Sequence, residues 1–345
     1  MFKQILVPLD GSKRAERALP VAARIVRATG GSLVLLRVVN PQIEYGGYLT
    51  QPVVLSTLNG VETAGIEATQ YLAEVAQSDV LAGIETKREG CYGAPSATIL
   101  AVAAEGGIDA IVMCSHGDTG FKRWMLGSVA QKVACHSPVP VLVLREGGTA
   151  PIGPHPDAEQ PLRILVPLDG SPMSEAMLEP AAHVIAALAD AGRGALHLLR
   201  VVDLPSTGGH LKSQAHISAS MMEEVKRDAK TYLSALVARL REGSLANLGL
   251  LITWSVALDA DVAHAIIRVA ENGEDAEGAG IFGGCDLIAM ATHGRGGLQR
   301  WAMGSVTERV LGAAQLPLLV IRSQEQHAIT RSGMAESSVP RVPMF

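Results

Sequence analysis

One half of this 345-residue chain repeats the other. The octapeptide ILVPLDGS at residues 5–12 recurs unchanged at 164–171. LRVV at 36–39 recurs at 199–202, and the stretch from Asp109 to Leu144 resembles that from Asp286 to Ile321. Both of these longer stretches contain His-Gly, at 116–117 and 293–294. Both also contain Trp-x-x-Gly-Ser-Val, beginning at Trp124 and Trp301. Three matched blocks in one order mean two copies of a domain of roughly 150–160 residues. The expected limits are 1–146 for the first domain, 147–161 for a Gly- and Pro-rich linker and 162–323 for the second domain. A loose tail without periodicity is expected over 324–345. The offset between copies grows from 159 to 177 residues, so the second copy carries 18 more. Four of these precede Val201. Most of the others fall within 272–284, whose glycines and acids read as a solvated loop.

Each copy alternates short apolar strands with helices. ILVP at 5–8 reads as a strand, and Ser12 and Ser171 as caps of the helices that follow, with Pro172 suited to a first turn. Ala15, Leu19, Ala22, Ala23 and Val26 share one helical face. Further strands are expected at 32–39, 84–89, 110–114 and 139–144, and helices at 62–81, 95–105 and 128–135, with counterparts in the second copy. Short apolar strands joined through helices make a parallel sheet covered on both faces. The expected class is therefore α/β, two tandem doubly wound parallel-sheet domains of Rossmann-like type. Such open sheets bind ligands beyond the strand C-termini, where the strand order reverses.

Three features fall at that edge. Asp10-Gly11-Ser12 and Asp169-Gly170-Ser171 follow the first strand. A carboxylate there can accept hydrogen bonds from a ribose, and the same residues can simply start a helix; the pattern alone does not choose. Gly117 is followed, after nine residues, by Gly127 and Ser128; Gly294 stands in the same relation to Gly304 and Ser305. Glycines let backbone N–H groups approach a phosphate closely, and a helix N-terminus favours an anion. Ser128-x-x-Gln131 and Ser305-x-x-Glu308 also read as capping boxes, which would account for the serines alone. Val38 and Val201 end the second strands, where an apolar side chain either flanks a base or fills the core.

Taken together, these blocks resemble the universal stress protein family, over roughly residues 1–146 and 160–323. The chain looks like a tandem of two such domains. The family's nucleotide motif is Gly-x-x-Gly-x9-Gly-Ser/Thr. Gly117 and Gly294 match its second glycine. Gly127-Ser128 and Gly304-Ser305 match its end, with Val129 and Val306 directly after. Cys114 and Ala291 stand where the first glycine would be, and cysteine is the bulkier departure. The resemblance implies that adenosine is also contacted by Pro8, Leu9, Asp10 and Val38 in the first copy and by Pro167, Leu168, Asp169 and Val201 in the second. Arg295, directly after Gly294, is able to pair with a polyphosphate, whereas Asp118 at the matching place repels one unless Lys122 or Arg123 offsets it. The implied ligand is ATP, with Mg²⁺ if the nucleotide carries it. Family dimers pair through the last strand, which implies an internal pseudo-dimer of the two repeats and leaves a homodimer open.

Composition narrows the rest. Net charge is −5 and aromatics are 3% of residues, which argues against nucleic-acid binding through phosphates or base stacking. The four cysteines form no C-x-x-C pair and read as small buried thiols in a reducing compartment. The N-terminus runs straight into a strand rather than a secretory leader, and no apolar run suits a bilayer, so a cytoplasmic protein is expected. The histidines lack metal-ligand spacing, and neither a P-loop nor a G-x-G-x-x-G after the first strand is present. His116 and His293 belong to no nucleophile–base–carboxylate set that spacing reveals, and are expected to shape their loop or touch the ligand. No catalytic residue and no metal ligand is therefore expected. The leading expectation is an adenine-nucleotide-dependent stress-response sensor or regulator. A slow ATP hydrolase or phosphoryl-transfer protein, and a nucleotide-free interaction scaffold, are the alternatives.

Overall fold

The computed structural model describes residues 2–40, 54–116, 126–145, 160–203, 219–277, 280–292, 303–322 and 341–342. The chain forms two compact units, one comprising Met1–Ala150 with Val320–Phe345, the other Pro151–Leu319.

In the first unit β1 (Gln4–Leu9) is followed by a single turn of helix, α1 (Lys13–Glu16), and by α2 (Ala18–Thr29). β2 (Ser32–Val39), α3 (Val54–Ala76), β3 (Thr86–Tyr92), α4 (Pro95–Glu105), β4 (Ala110–Cys114), α5 (Ser128–His136) and β5 (Val141–Leu144) complete it. The strands lie in the order β3-β2-β1-β4-β5, each paired in parallel with its neighbour. Parallel neighbours need long crossovers, and α2, α3, α4 and α5 supply them. Ile5, Leu6 and Val7 are fully buried, as are Leu33, Leu35 and Ile111. Burying each such side chain contributes about 1.5–3 kcal/mol. The helical face expected from the periodicity is the buried one: Ala15, Leu19, Ala22, Ala23 and Val26 are all in the core.

The second repeat follows the same plan with β6 (Leu162–Pro167), α6 (Pro172–Glu175), α7 (Leu178–Leu188), β7 (Gly194–Asp203), α8 (Ala219–Glu242), β8 (Leu251–Asp259), α9 (Val262–Asn272), β11 (Leu287–Ala291), α10 (Ser305–Ala313) and β12 (Leu318–Ile321). The order is β12-β11-β6-β7-β8. In both units the order reverses beside the first strand, between β1 and β4 and between β6 and β11.

Asp109 and Asp286, which open the third repeated block, stand at the opposite end of the sheet from the expected ligand edge. Asp109 Oδ2 accepts the backbone N–H groups of Lys3 (2.7 Å) and Gln4 (3.0 Å), and Asp286 Oδ2 accepts that of Arg163 (2.7 Å). These carboxylates satisfy the first donors of β1 and β6.

The structure departs from expectation at three places. Residues 273–284 are not simply a solvated loop. β9 (Asp275–Ala276) and β10 (Gly280–Ile281) pair antiparallel, Ala276 and Phe282 are buried, and Glu277 N–H donates to Trp254 O of β8 at 3.0 Å. The long helix α3 begins at Val54, eight residues before the expected Glu62. Of the tail, Arg341 and Val342 are described, and they lie against β3. Among the described residues no helix is long and apolar enough to cross a membrane.

Candidate functional site

The edge where the order reverses is built first by a tight turn. Asp10 Oδ1 accepts the Ser12 N–H (3.0 Å) and the Ser12 hydroxyl (2.6 Å), and the same Ser12 oxygen accepts the Ala15 N–H at 3.2 Å. The second copy repeats this: Asp169 Oδ1 takes the Ser171 N–H (2.9 Å) and hydroxyl (2.6 Å), and Ser171 Oγ accepts the Ser174 N–H at 3.2 Å. Ser12 and Ser171 are thus the helix caps the sequence predicts. The turn passes through Gly11 at φ +88° and Gly170 at φ +79°, in the left-handed region that favours glycine. It carries each Asp to the C-terminal edge of the sheet while holding one carboxylate oxygen fixed.

An arginine packs behind the turn, which motif spacing does not single out. A Cβ on Gly11 would lie 3.4 Å from Arg37 Nη2, and Arg200 Nη1 donates to Leu168 O at 3.0 Å. Register explains the placement, since Leu9 pairs with Arg37. The available signal was the repeated LRVV block itself. A second shared pair lies nearby: Tyr71 O–H to Glu16 Oε1 at 3.3 Å, and Tyr232 O–H to Glu175 Oε1 at 2.9 Å. Burial, reinforced by the neighbouring carboxylate, pushes both phenols well above their ordinary range. They are donors that tie α1 to α3 and α6 to α8.

Val38 and Val201 are half-buried at the ends of β2 and β7, while the next residues, Val39 and Val202, are in the core. The two valines are thus distinguished from ordinary core positions by an accessible apolar face. Leu9 and Leu168 are buried, and Pro8, Asp10, Pro167 and Asp169 are partly accessible.

The third part is the start of α5 and α10. The N-cap residues are Gly127 and Gly304, not the serines, and neither helix has a side-chain cap bond. Ser128 and Ser305 stand one position inside the helix and are exposed. The capping boxes expected from Ser-x-x-Gln and Ser-x-x-Glu do not form, because the chain enters each helix one residue earlier. The first N–H groups of a helix have no intrahelical acceptor, so those of Ser128 and Val129, and of Ser305 and Val306, are donors at a positive helix end. Gly127 has a packing reason as well: its N–H donates to Ser115 O at 2.8 Å, and an added Cβ would lie 2.9 Å from that oxygen. Gly304 N–H donates to Thr292 O at the same distance, 2.8 Å.

Cys114, at the place of the motif's first glycine, turns its thiol toward α1 and donates to Arg14 O at 2.9 Å. His116 is buried with Nδ1 3.2 Å from Ser115 Oγ. Gly117, Asp118, Gly294 and Arg295, with His293, Trp124 and Trp301, lie outside the described residues. Among the described residues no cluster of His, Cys, Asp or Glu could hold a metal ion.

A duplicated, doubly wound α/β domain with a helix N-terminus, an Asp turn and an apolar strand end at each reversal point is the class of architecture present. The sequence profile of the universal stress protein family matches residues 1–145 and again 162–322, and the chain belongs to that family. It is 24% identical over 328 residues, 92% of this chain and 96% of the relative, to universal stress protein Rv2005c of Mycobacterium tuberculosis. Universal stress protein YxiE of Bacillus subtilis is 31% identical over 151 residues, covering 42% of this chain and 100% of that protein. A solved universal stress protein from Archaeoglobus fulgidus superimposes with TM-score 0.57 at 21% identity, covering 92% of this chain and 98% of its own. That likeness is one of fold.

Proposed function

We propose that each repeat is built to bind an adenine nucleotide, ATP, and that the protein is a cytoplasmic stress-response regulator that acts by binding rather than by turnover. The observation that carries this reading is the twofold recurrence of one arrangement at the reversal point. A fixed Asp turn, a half-exposed valine and an uncapped helix N-terminus stand there in both copies. The uncapped donors suit a phosphate, the valine suits a base face, and the Asp carboxylate suits ribose hydroxyls. The family motif at Gly117, Gly127 and Ser128, and at Gly294, Gly304 and Ser305, supports ATP as the nucleotide. Arg295 in the second copy and Asp118 in the first make the second copy the tighter site.

Equilibrium dialysis of ATP against nucleotide-stripped protein tests the reading. Val201→Asp puts a charge against the base and weakens the tight site about tenfold or more, roughly 1.4 kcal/mol. Val38→Asp leaves that site unchanged. Equal effects of the two substitutions, or none from either, would contradict the assignment.

A further inference from the structure

The edge strand of the first unit carries a seat that the nucleotide reading does not use. β3 is hydrogen-bonded to β2 on one side only, and its first half is exposed at Lys87 and Arg88. Its second half, Glu89, Gly90 and Cys91, is buried. The cover is the chain's own C-terminal segment. Val342 N–H donates to Gly90 O at 2.8 Å, Arg341 bridges antiparallel to Cys91, and the Val342 side chain is 5% exposed. Two glycines make room for it. A Cβ on Gly90 would lie 2.9 Å from Val342 Cβ, and one on Gly65 of α3 would lie 3.2 Å from Val342 Cγ1 and run into the Tyr92 hydroxyl. The notch therefore has a strand edge for a floor, α3 and Tyr92 for walls, and the size of one β-branched side chain.

The segment is suited to a short, reversible pairing. It reads Val339-Pro-Arg-Val-Pro343. Proline after Val342 favours extended backbone at that valine. Pro340 and Pro343 have no N–H to give, so neither can add a donor to the pairing. An edge left bare is a template for another chain, and among the described residues Arg341 and Val342 cover this one.

We propose that the β3 edge is a peptide-docking groove for an extended segment carrying one β-branched side chain, and that its resident ligand is the chain's own Arg341 and Val342. Recognition combines main-chain pairing with one apolar pocket, the mode of strand addition. A covalently attached segment holds the groove at a high effective concentration, so free peptide enters only when the resident valine is unseated.

The test uses the full chain, its Val342→Asp variant, and a fluorescein-labelled peptide of residues 337–345. Hydrogen exchange of the intact protein shows the Val342 amide protected, and the variant loses that protection. The peptide binds the variant about tenfold or more tighter than it binds the wild type, because only the variant's groove is open. A peptide carrying the same Val-to-Asp change binds neither protein. Val342→Thr, which keeps the branched shape, behaves as wild type. Equal peptide binding to wild type and Val342→Asp, or binding to neither, overturns the proposal. So does a wild-type dimer that Val342→Asp dissolves, since the resident segment would then belong to a second copy. These readings contain no nucleotide, so their failure is separate from failure of the ATP assignment.

Discussion

Serine does two different jobs in this protein, and the difference is measurable. Ser171 caps α6 through the Ser174 N–H and braces Asp169, whereas Ser305 lies within the first turn of α10 with no cap bond. Ser171→Ala is expected to cost about 1 kcal/mol, and Ser305→Ala less than about 0.5 kcal/mol. Urea denaturation of the two variants checks this, and equal losses would contradict the placement of the caps. The serine at 305 looked like a cap because the Ser-x-x-Glu pattern is local, while the helix entry is set by the bond from Gly304 N–H to the Thr292 carbonyl. Asp10, Ser12 and Gly11 were legible because a turn of this kind involves only near neighbours. Arg37 was not, since its position over Gly11 depends on the register of β2 against β1.

At the scale of elements, the insertion of the second copy is the main divergence between repeats. Its Phe282 covers a polar group inside the unit. His197 is fully buried between Thr253 Oγ1 and Ser255 Oγ, both at 2.8 Å. Arg163 Nη1 donates to Thr253 Oγ1 at 3.1 Å, and its guanidinium carbon lies 4.5 Å from the Phe282 ring centroid. Burial, with the Arg163 charge beside it, pushes His197 down to about 3 from the ordinary 6.5. The unfolded chain therefore takes up this proton first. The contribution is complete above pH 6.5 and is lost as pH falls toward 3, at roughly 1 kcal/mol per pH unit. Phe282→Ala is expected to cost about 3 kcal/mol at neutral pH. By admitting water it also brings His197 back toward its ordinary value and flattens the acid slope. Urea midpoints across pH 4 to 7.5 read both effects, and an unchanged slope in the variant would contradict this account. Gly-Glu-Asp-Ala-Glu-Gly read as solvated loop because composition averages over the window. One phenylalanine and the Glu277 bond to Trp254 suffice to fold it back.

For the whole molecule, duplication made most of the fold legible. The same blocks in the same order fixed strand and helix alternation, and parallel pairing followed from the crossovers. The pairing of Arg341 and Val342 with β3 was not legible, because a contact between residues far apart in the sequence leaves no periodic trace. On the proposed function, the two copies are expected to bind ATP unequally, the difference resting on Arg295 against Asp118. Calorimetric titration of ATP into nucleotide-stripped protein, with and without Mg²⁺, tests it most directly. The expected result is saturable heat from a tight site at a stoichiometry near one, lost in Gly304→Val, with the first copy filling only at higher ATP. No heat and no competition by any adenine nucleotide, or a tight site that survives Gly304→Val, would contradict it.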